Sequence, residues 1–444
     1  MDSRVSFKEK LAYGLGDAGC NFVWTTISAF LTLYYTDNVG ISALVVGNIM
    51  LLTRLLDGVT DIIMGVIIDK TKTRWGKARP WILFSALPMA IGLILLFNVP
   101  SGLSESGKTT YAFITYLFVA AFAYTACNLS YTTLLALAAP NQKDRTSMSS
   151  IRFICTSVTV TIISYSTMNI IGKIGWSGMS FVYGGIAIIL LLITFFGTKE
   201  RAVPINSLEK EKLDVKASVK ILFKNKYFIS TTLIFIANYA ASGIFSGSAI
   251  YYARDVLGNV GLFGTISIVR TLPTIIGLPF FPQIAAKFGK WKSILGGYTI
   301  IAIGSVIMII SPESATAILA GLFVKGFGLV PLSAGLFAMI GDVIDYGEWK
   351  TGYRVDGLTN SAVSFGMKVG VGLGTALTGW MLAFGKYDAN LSVQGASAIL
   401  SMKAMYIYIP LVLYLIGAIL LYFTNIDKIY PEMKKDLEQR RENA

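Results

Sequence analysis

Histidine is absent from the 444 residues of this chain, and only three residues are cysteine. Without imidazole, the chain lacks a common metal ligand and the usual proton carrier near neutral pH. Cys20, Cys127 and Cys155 all lie in apolar stretches, where a thiol normally packs as a small buried side chain. The pattern therefore indicates neither a disulfide framework nor a cysteine-based metal site.

Charged residues are also scarce, at 14% of the chain against roughly 25% in a typical soluble domain. Apolar types make up 54%, and the mean hydropathy is +0.63. The N-terminal sequence MDSRVSFKEK runs into an apolar segment without a small-residue cleavage site, so we predict no removed signal peptide. The composition indicates an integral membrane protein.

Twelve apolar segments are long enough to cross a bilayer, which takes roughly 20 helical residues. Their approximate bounds are 11–36, 42–68, 81–99, 109–138, 149–172, 179–197, 227–254, 259–286, 293–311, 314–341, 358–385 and 403–424. The sequence therefore predicts an all-α membrane protein with twelve transmembrane helices.

The net charge of +13 follows from how lysine and arginine are distributed between loops. Most lie at the N-terminus, in alternate loops that begin with 69–80, and in the C-terminal tail. The opposite loops hold only Lys108, Lys173, Arg254, Lys386 and Lys403. By the positive-inside rule, both termini are predicted to be cytoplasmic, with the chain in the cell inner (plasma) membrane. Membrane topology thus explains the excess of lysine and arginine over acidic residues, and no nucleic-acid partner is predicted.

The polar stretch 198–226 is the longest between apolar segments, and it separates two sets of six. Weak sequence similarity supports two repeats: DKTKTRWGKARPW, which follows segment two, resembles AAKFGKWKS, which follows segment eight. Two parallel six-helix repeats describe the major facilitator fold, in which substrate binds near mid-membrane. We predict an N-terminal six-helix half at 1–197, a cytoplasmic linker at 198–226, a C-terminal six-helix half at 227–424 and a cytoplasmic tail at 425–444.

Segment two contains TRLLDGVTDIIMG, with Arg54, Asp57 and Asp61 on one helical face. A charge near the bilayer centre costs about 2.5–3.5 kcal/mol on insertion scales, so this face should meet protein or water. Arg54 is predicted to pair with Asp57, which leaves a structural ion pair as one interpretation. The other is a hard-cation site, in which the two acids are joined by hydroxyl oxygens of Thr60 and Thr125.

Motifs from the first segment to the eleventh carry a family resemblance. They are YGLGDAGCNF at 13–22, YYTD at 34–37, RLLDGVTDIIMG at 54–65, TRWGKARPW at 73–81, GDVIDYGEWKTGYRVDGLTNS at 341–361 and Lys368 within FGMKVG. Together they resemble the glycoside-pentoside-hexuronide:cation symporters, the family of melibiose permease and of xyloside and glucuronide carriers. The resemblance implies a secondary active symporter and not an enzyme, with no cofactor. It would couple inward flow of sodium or protons to sugar uptake by alternating access.

The resemblance also implies roles for individual residues. The cation-binding positions are Asp57, Asp61, Thr125 and Thr60, with the two acids as the metal ligands if sodium is the coupling ion. The positions that line the sugar pocket are Asn21, Tyr124, Asn128, Arg152 and Lys368. Melibiose-type members carry acids where this chain has Asn21 and Asn128, a lysine in place of Cys20 and a tryptophan in place of Thr132.

A pocket that lacks two acids but keeps Arg152 and Lys368 is more positive, which favours an acidic sugar. Asparagine amides also bind neutral sugar hydroxyls, so glucuronides and xylosides both remain, the former slightly ahead. A galactoside or another neutral sugar is the next alternative, and a non-transporting sugar receptor is the alternative of a different class. Arg152 could instead snorkel at a helix end, and Lys368 could pair with an acid across the bundle.

Further charged residues are predicted to form a cytoplasmic gate, in which their charges hold neighbouring helix ends together. They are Asp69, Arg74, Lys77 and Arg79 below the first half, and Asp342, Asp345 and Glu348 below the second. The expected partners are the sugar, a monovalent cation and membrane lipid, with the chain as a monomer.

Two further patterns concern helix packing. Asp17 lies one turn before Asn21, where it could serve the cation site or a hydrogen bond between helices. Ala362, Gly366, Gly370 and Gly374 recur every four residues, which predicts that segment eleven packs closely on a neighbouring helix.

Overall fold

The computed structural model describes residues 5–139, 141–201, 221–353 and 355–442, and these are mostly helical, with no strand among them. Of the predicted linker 198–226, residues 202–220 lie outside the described residues. The chain forms two compact units. The first comprises Met1–Asn206, Ser246–Ser267 and Thr375–Ser401, and the second comprises Ser207–Phe245, Ile268–Gly374 and Met402–Ala444.

Before the predicted linker, the described part of the chain contains six helices, and two of them continue into π turns. The helices are α1 (Phe7–Leu33), α2 (Ala43–Lys70), α3 (Arg79–Leu96), α4 (Glu105–Leu117), α5 (Thr125–Ala138) and α6 (Gln142–Gly197). The π turn Tyr34–Val39 extends α1, and the π turn Phe118–Tyr124 joins α4 to α5.

In the described residues, nine helices follow the predicted linker. They are α7 (Lys226–Tyr251), α8 (Leu262–Gly277), α9 (Phe281–Phe288), α10 (Lys290–Ile310), α11 (Ala315–Thr351), α12 (Asp356–Phe384), α13 (Ala396–Lys403), α14 (Ile409–Phe423) and α15 (Tyr430–Glu442). A π turn, Tyr252–Val256, extends α7, and another, Ala404–Tyr408, joins α13 to α14. A short 3-10 turn, Leu278–Phe280, joins α8 to α9.

Helical segments occur at all twelve predicted positions. The 56-residue α6 covers two of them, because Gly175 breaks the helix with a φ of 72° that suits glycine. Nine helices in the described part of the chain are long and apolar enough to cross a membrane. Neither α1 nor α2 is among these nine, and both carry buried acids. The all-helical membrane fold is therefore confirmed, while the count of twelve spans stays a prediction.

In the first unit, glycines on α1 allow α6 to approach closely. A Cβ atom added to Gly14 would lie 2.9 Å from the Cys155 sulfur, and one added to Gly16 would lie 2.7 Å from Thr194 Oγ1. Neither position could accept a larger side chain without movement of α6. This contact places the polar residues of α1 beside those at the start of α6.

In the second unit, the small-residue stripe of α12 packs on α7, as predicted. A Cβ atom on Gly366 would lie 3.1 Å from Thr232, and one on Gly370 would lie 2.6 Å from the Ile236 carbonyl oxygen. At Gly374 the added atom would overlap the Ala240 carbonyl oxygen. The backbones of these helices are therefore in direct contact along the stripe.

Candidate functional site

Asp57 lies halfway along α2, and its side chain is almost fully buried, with 1% exposed. Arg54 Nη1 is 3.3 Å from Asp57 Oδ2, so the ion pair predicted from the spacing is present. The Thr125 hydroxyl donates a 2.7 Å hydrogen bond to Asp57 Oδ1. Both carboxylate oxygens are thus held by neighbours, and α5 supplies the oxygen that the family resemblance implied.

Arg54 is fixed from a second side by an aromatic ring. Its guanidinium carbon lies 3.8 Å from the ring centroid of Trp24, which in turn packs 4.4 Å from the ring of Tyr124. A cation over a tryptophan face gains electrostatic attraction, more so when it is removed from water. Arg54 Nε is buried and has no hydrogen-bond partner in the described part of the chain. One donor of this buried group is therefore left for an added acceptor.

The other two proposed cation ligands sit on the next turn of α2. The Thr60 hydroxyl donates a 3.0 Å hydrogen bond to the Asp57 carbonyl oxygen, so in this structure it serves the helix backbone. Asp61 is half-buried on the same helical face. The arrangement supplies carboxylate and hydroxyl oxygens on two helices, which is the donor chemistry that hard cations prefer.

A second polar cluster joins α1 to α6 around Asp17. Arg152 Nη2 lies 3.1 Å from Asp17 Oδ1, and the Thr156 hydroxyl donates to Asp17 Oδ2. The Asn21 amide donates to the Asp17 carbonyl oxygen at 2.8 Å, and Thr25 donates to Asn21 Oδ1 at 3.2 Å. The side chain of Arg152 keeps 32% of its surface exposed. Asp17 is a partner that we did not predict for Arg152, because 135 residues separate the two.

The remaining predicted sugar residues are divided between the units. Tyr124 and Asn128 are half-buried on the α4–α5 helix of the first unit, near Thr125 in sequence. Lys368 is half-buried on α12 in the second unit.

The predicted gate residues of the first unit lie around the N-terminus of α3. Arg79 donates to the Phe195 carbonyl oxygen at 2.6 Å and to the Trp75 carbonyl oxygen at 3.3 Å. Arg74 lies over the ring of Trp75, 4.7 Å from its centroid. Asp69 is exposed near the end of α2. Arg79 is therefore held by backbone oxygens.

Two acids that the sequence did not indicate as gate residues, Glu200 and Glu9, bind at these helix ends. Glu200 accepts hydrogen bonds of 2.8, 2.9 and 3.0 Å from the backbone N–H groups of Lys77, Ala78 and Arg79. A carboxylate is well placed there, because a helix N-terminus carries unpaired donors and partial positive charge. Glu9 binds both terminal nitrogens of Arg201 at 2.6 and 2.7 Å, and this contact raises the pKa of Arg201.

In the second unit, the predicted gate residues lie on α11, which continues well beyond its predicted end at 341. Asp342 is buried and pairs with Lys290. Asp345 and Glu348 are half-buried on the following turns. The Trp349 indole donates a 3.0 Å hydrogen bond to Asp436 of α15, so the C-terminal helix docks on this end of α11.

A further charged cluster in the first unit joins segments that are distant in sequence. Arg254 binds Asp37 at 2.7 Å and Asp255 at 2.8 Å, and the Tyr387 hydroxyl donates to Asp37 at 2.8 Å. These contacts span 217 and 350 residues between Asp37 and its partners. The motif YYTD contained the acid, but sequence spacing could not indicate its partners.

Buried ion pairs within a bundle of long apolar helices are typical of membrane proteins that provide a pathway for ions or substrates. The family model described as MFS/sugar transport protein matches residues 12–428. The chain therefore belongs to the glycoside-pentoside-hexuronide:cation symporters of the major facilitator superfamily, which confirms the resemblance seen in the sequence. Members of this family are transporters and not enzymes.

Two curated relatives and one solved structure illustrate these likenesses. The isoprimeverose transporter of Lactiplantibacillus pentosus is 32% identical over 453 residues, which cover 99% of this chain and 93% of the relative. The glucuronide carrier protein homolog of Escherichia coli (strain K12) is 28% identical, with 99% and 97% covered. A bacterial homolog of the human lysosomal transporter Spinster, in an inward-facing and unoccupied conformation, matches with a TM-score of 0.69. That match covers 96% of this chain and 97% of the other at 13% identity, so it shows the fold alone.

Proposed function

We propose that this chain is a secondary active symporter that takes up a sugar glycoside together with sodium. The observation that carries the proposal is the buried Asp57 carboxylate, held halfway along α2 between Arg54 and the Thr125 hydroxyl. A charge at that depth is expensive unless it serves a pathway for ions or substrate. Membership of a sugar transport family supplies the second reason.

Sodium is favoured over the proton by the donor set. Asp57 and Asp61 provide negative charge, and the Thr125 hydroxyl, which donates to Asp57 Oδ1, adds a neutral oxygen beside them. Such oxygens replace the hydration shell of a hard cation. The proton remains the alternative that the transport assay distinguishes.

The sugar is proposed to be a neutral glycoside, with a xyloside as the first candidate. The unpaired Nε of Arg54 and the amides of Asn21 and Asn128 suit hydroxyl groups. Asp17 balances the charge of Arg152, so the arginine contributes less net attraction to an acid than the sequence suggested. The Asp17–Arg152 pair therefore reverses the slight preference for a glucuronide that the sequence suggested. A glucuronide becomes the alternative substrate, and a neutral xyloside becomes the first candidate.

Coupling follows from the position of both groups on shared helices. A cation bound at Asp57 would weaken the attraction between Asp57 and Arg54. Arg54 Nε, which has no partner among the described residues, could then donate to the sugar. Binding of one ligand must then alter the affinity for the other by the same factor in both directions. Alternating access of the halves 1–197 and 227–424 completes the proposal, with both termini cytoplasmic, the chain monomeric, and the predicted gate residues closing the inner side.

Uptake into proteoliposomes tests this function. p-Nitrophenyl β-xyloside should accumulate when an inward sodium gradient is imposed, and not when choline replaces sodium at the same pH. Asp57→Asn should abolish accumulation, because too little negative charge remains to offset the dehydration of the ion. Asp388→Asn, in an exposed loop, is the matched control and should transport normally.

The outcomes separate the alternatives. Accumulation driven only by an imposed pH gradient would replace sodium by the proton. Wild-type accumulation in Asp57→Asn would reject the cation assignment. Sugar binding without counterflow of preloaded sugar would identify a receptor.

A further inference from the structure

An apolar groove of about 490 Å³ lies in the second unit among α8, α9, α10 and α11. Residues along it include Gly277, Phe280, Gly296, Ile300, Phe327 and Val330. Phe280 is 58% exposed and Phe327 is 40% exposed, although both lie in segments apolar enough to span a membrane. Large apolar side chains at such positions face lipid, so the groove is open to the hydrocarbon region.

Glycine gives the groove its depth. A Cβ atom added to Gly296 would meet nothing within 4 Å. Gly297 behind it is closed, since an added Cβ would lie 2.7 Å from the Gly328 carbonyl oxygen. The space in front of Gly296 is therefore a true indentation between packed helices, large enough for part of a flexible hydrocarbon chain.

One end of the groove is positively charged. Lys292 lines it, and Lys287 directly precedes Phe288, another lining residue. Both lysines are exposed, and neither has a carboxylate within 4.0 Å in the described part of the chain. The neighbouring Lys290 is different, because it pairs with Asp342. The groove thus ends at two ammonium groups that have no carboxylate partner among the described residues.

Aromatic residues place this end at the membrane surface. Trp291 lies between the two charged positions Lys290 and Lys292, and its ring centroid is 6.1 Å from that of Tyr422. Tryptophan and tyrosine concentrate at the boundary between hydrocarbon and headgroups. Lys287 and Lys292 are therefore at headgroup level, and the apolar groove extends from them into the hydrocarbon.

We propose that this groove binds an anionic phospholipid, with one acyl chain in front of Gly296 and the phosphate at Lys287 and Lys292. An apolar groove alone would accept any acyl chain, whereas the two uncompensated lysines select a lipid of net negative charge. Lysines near a membrane surface attract anionic headgroups, by about fivefold in affinity for each residue. This assignment does not depend on which sugar or cation is transported.

Native mass spectrometry of the detergent-purified protein tests the proposal, with phosphatidylglycerol and phosphatidylcholine as probes. Wild-type protein should bind phosphatidylglycerol more than tenfold better than phosphatidylcholine, given about fivefold for each lysine. Lys292→Gln should reduce that preference about fivefold, whereas Lys386→Gln, an exposed lysine in another loop, should leave it unchanged.

The second part of the test uses a variant whose side chain fills the groove. Gly296→Leu should remove most binding of phosphatidylglycerol, since its side chain would occupy the space of the acyl chain. Gly185→Leu is the matched control, because an added Cβ there also meets nothing within 4 Å. Equal binding of the two lipids by wild-type protein would overturn the charge selection. Unchanged binding in a monodisperse, thermally stable Gly296→Leu protein would overturn the site itself.

Discussion

Asp17 is the residue on which the polar contacts between α1 and α6 converge. It accepts from Arg152, Thr156 and Asn21, and only 4% of it is exposed. Removal of Arg152 would leave the buried Asp17 carboxylate without its charged partner, which destabilises the contact between the two helices. A change at Arg152 is therefore expected to affect the packing of two helices in addition to the sugar contact proposed for it.

Replacement of Arg152 measures the charge preference of the sugar site. Because Asp17 already balances this guanidinium, we expect Arg152→Gln to weaken binding of a xyloside and a matching glucuronide to a similar extent. Competition of each sugar against labelled xyloside uptake is the measurement, with Arg145→Gln as the control. A loss for the glucuronide that exceeds the xyloside loss by about 1.5–3 kcal/mol would instead show an arginine that grips an anion.

The double variant Asp17→Asn with Arg152→Gln separates sugar binding from packing. If the pair mainly supports the fold, restored neutrality should recover the expression level that Arg152→Gln loses. Sugar affinity should remain low in both proteins.

Local sequence spacing predicted one ion pair of the site but not the other. Arg54 and Asp57 lie three residues apart, so helical geometry alone brings them together. Arg152 contacts Asp17 only because α1 and α6 pack with these two faces toward each other. The glycines of α1 permit that close packing. Thr125 was implied by the family resemblance, whereas nothing in the sequence indicated that Trp24 would cover Arg54.

At the scale of elements, helix positions were predictable but several ends were not. Apolar runs marked each span, yet α11 continues to Thr351 through a polar, amphipathic stretch where hydropathy falls while backbone hydrogen bonds persist. The stripe on α12 predicted close packing because its spacing puts every small residue on one face. The choice of α7 as partner depended on tertiary structure.

The contact between α12 and α7 is expected to be intolerant of one added methyl group. Gly374→Ala should lower the thermal midpoint of the purified protein, because the new Cβ would overlap the Ala240 carbonyl oxygen and overpacking costs about 1–3 kcal/mol. Gly185→Ala, with open space at its Cβ position, should be neutral or slightly stabilising. Equal midpoints for both variants would show that α12 shifts freely on α7.

The Asp37 cluster should hold the end of α1 against α7 and the loop that contains Tyr387. Asp37→Asn removes one charge from Arg254 and weakens these contacts. In a Thr36→Cys background, we expect faster labelling by a membrane-impermeant maleimide after the Asp37 change, because Thr36 is buried beside Tyr251. Glu432→Gln, at an exposed acid of α15, is the control, and an unchanged labelling rate after the Asp37 change would show that the ion pair does not limit access to Thr36.

For the whole molecule, topology is the property that the sequence predicts most directly. Alkaline phosphatase fused after Gly40 or Gly102 should be active, and after Gly76 it should be inactive. The physical reason is the concentration of lysine and arginine in 69–80, which favours retention on the cytoplasmic side. The Gly40 fusion also tests whether α1 crosses the membrane despite its polar residues. An inactive fusion at Gly40 with an active one at Gly76 would reverse the orientation.

Because of the π turn Phe118–Tyr124, the position of the proposed cation ligand Thr125 depends on the number of residues in the preceding turn. Thr125 follows the turn directly, and its hydroxyl reaches both Asp57 and the Ala120 carbonyl oxygen, five residues back. A π turn holds one residue more than an α turn, which rotates everything after it about the helix axis. Deletion of a single codon in 118–124 would let the helix close as regular α and would carry Thr125 away from Asp57. Ancestral gain of that codon would thus have brought Thr125, the proposed ion ligand, to Asp57 without any change in the identity of residue 125 itself.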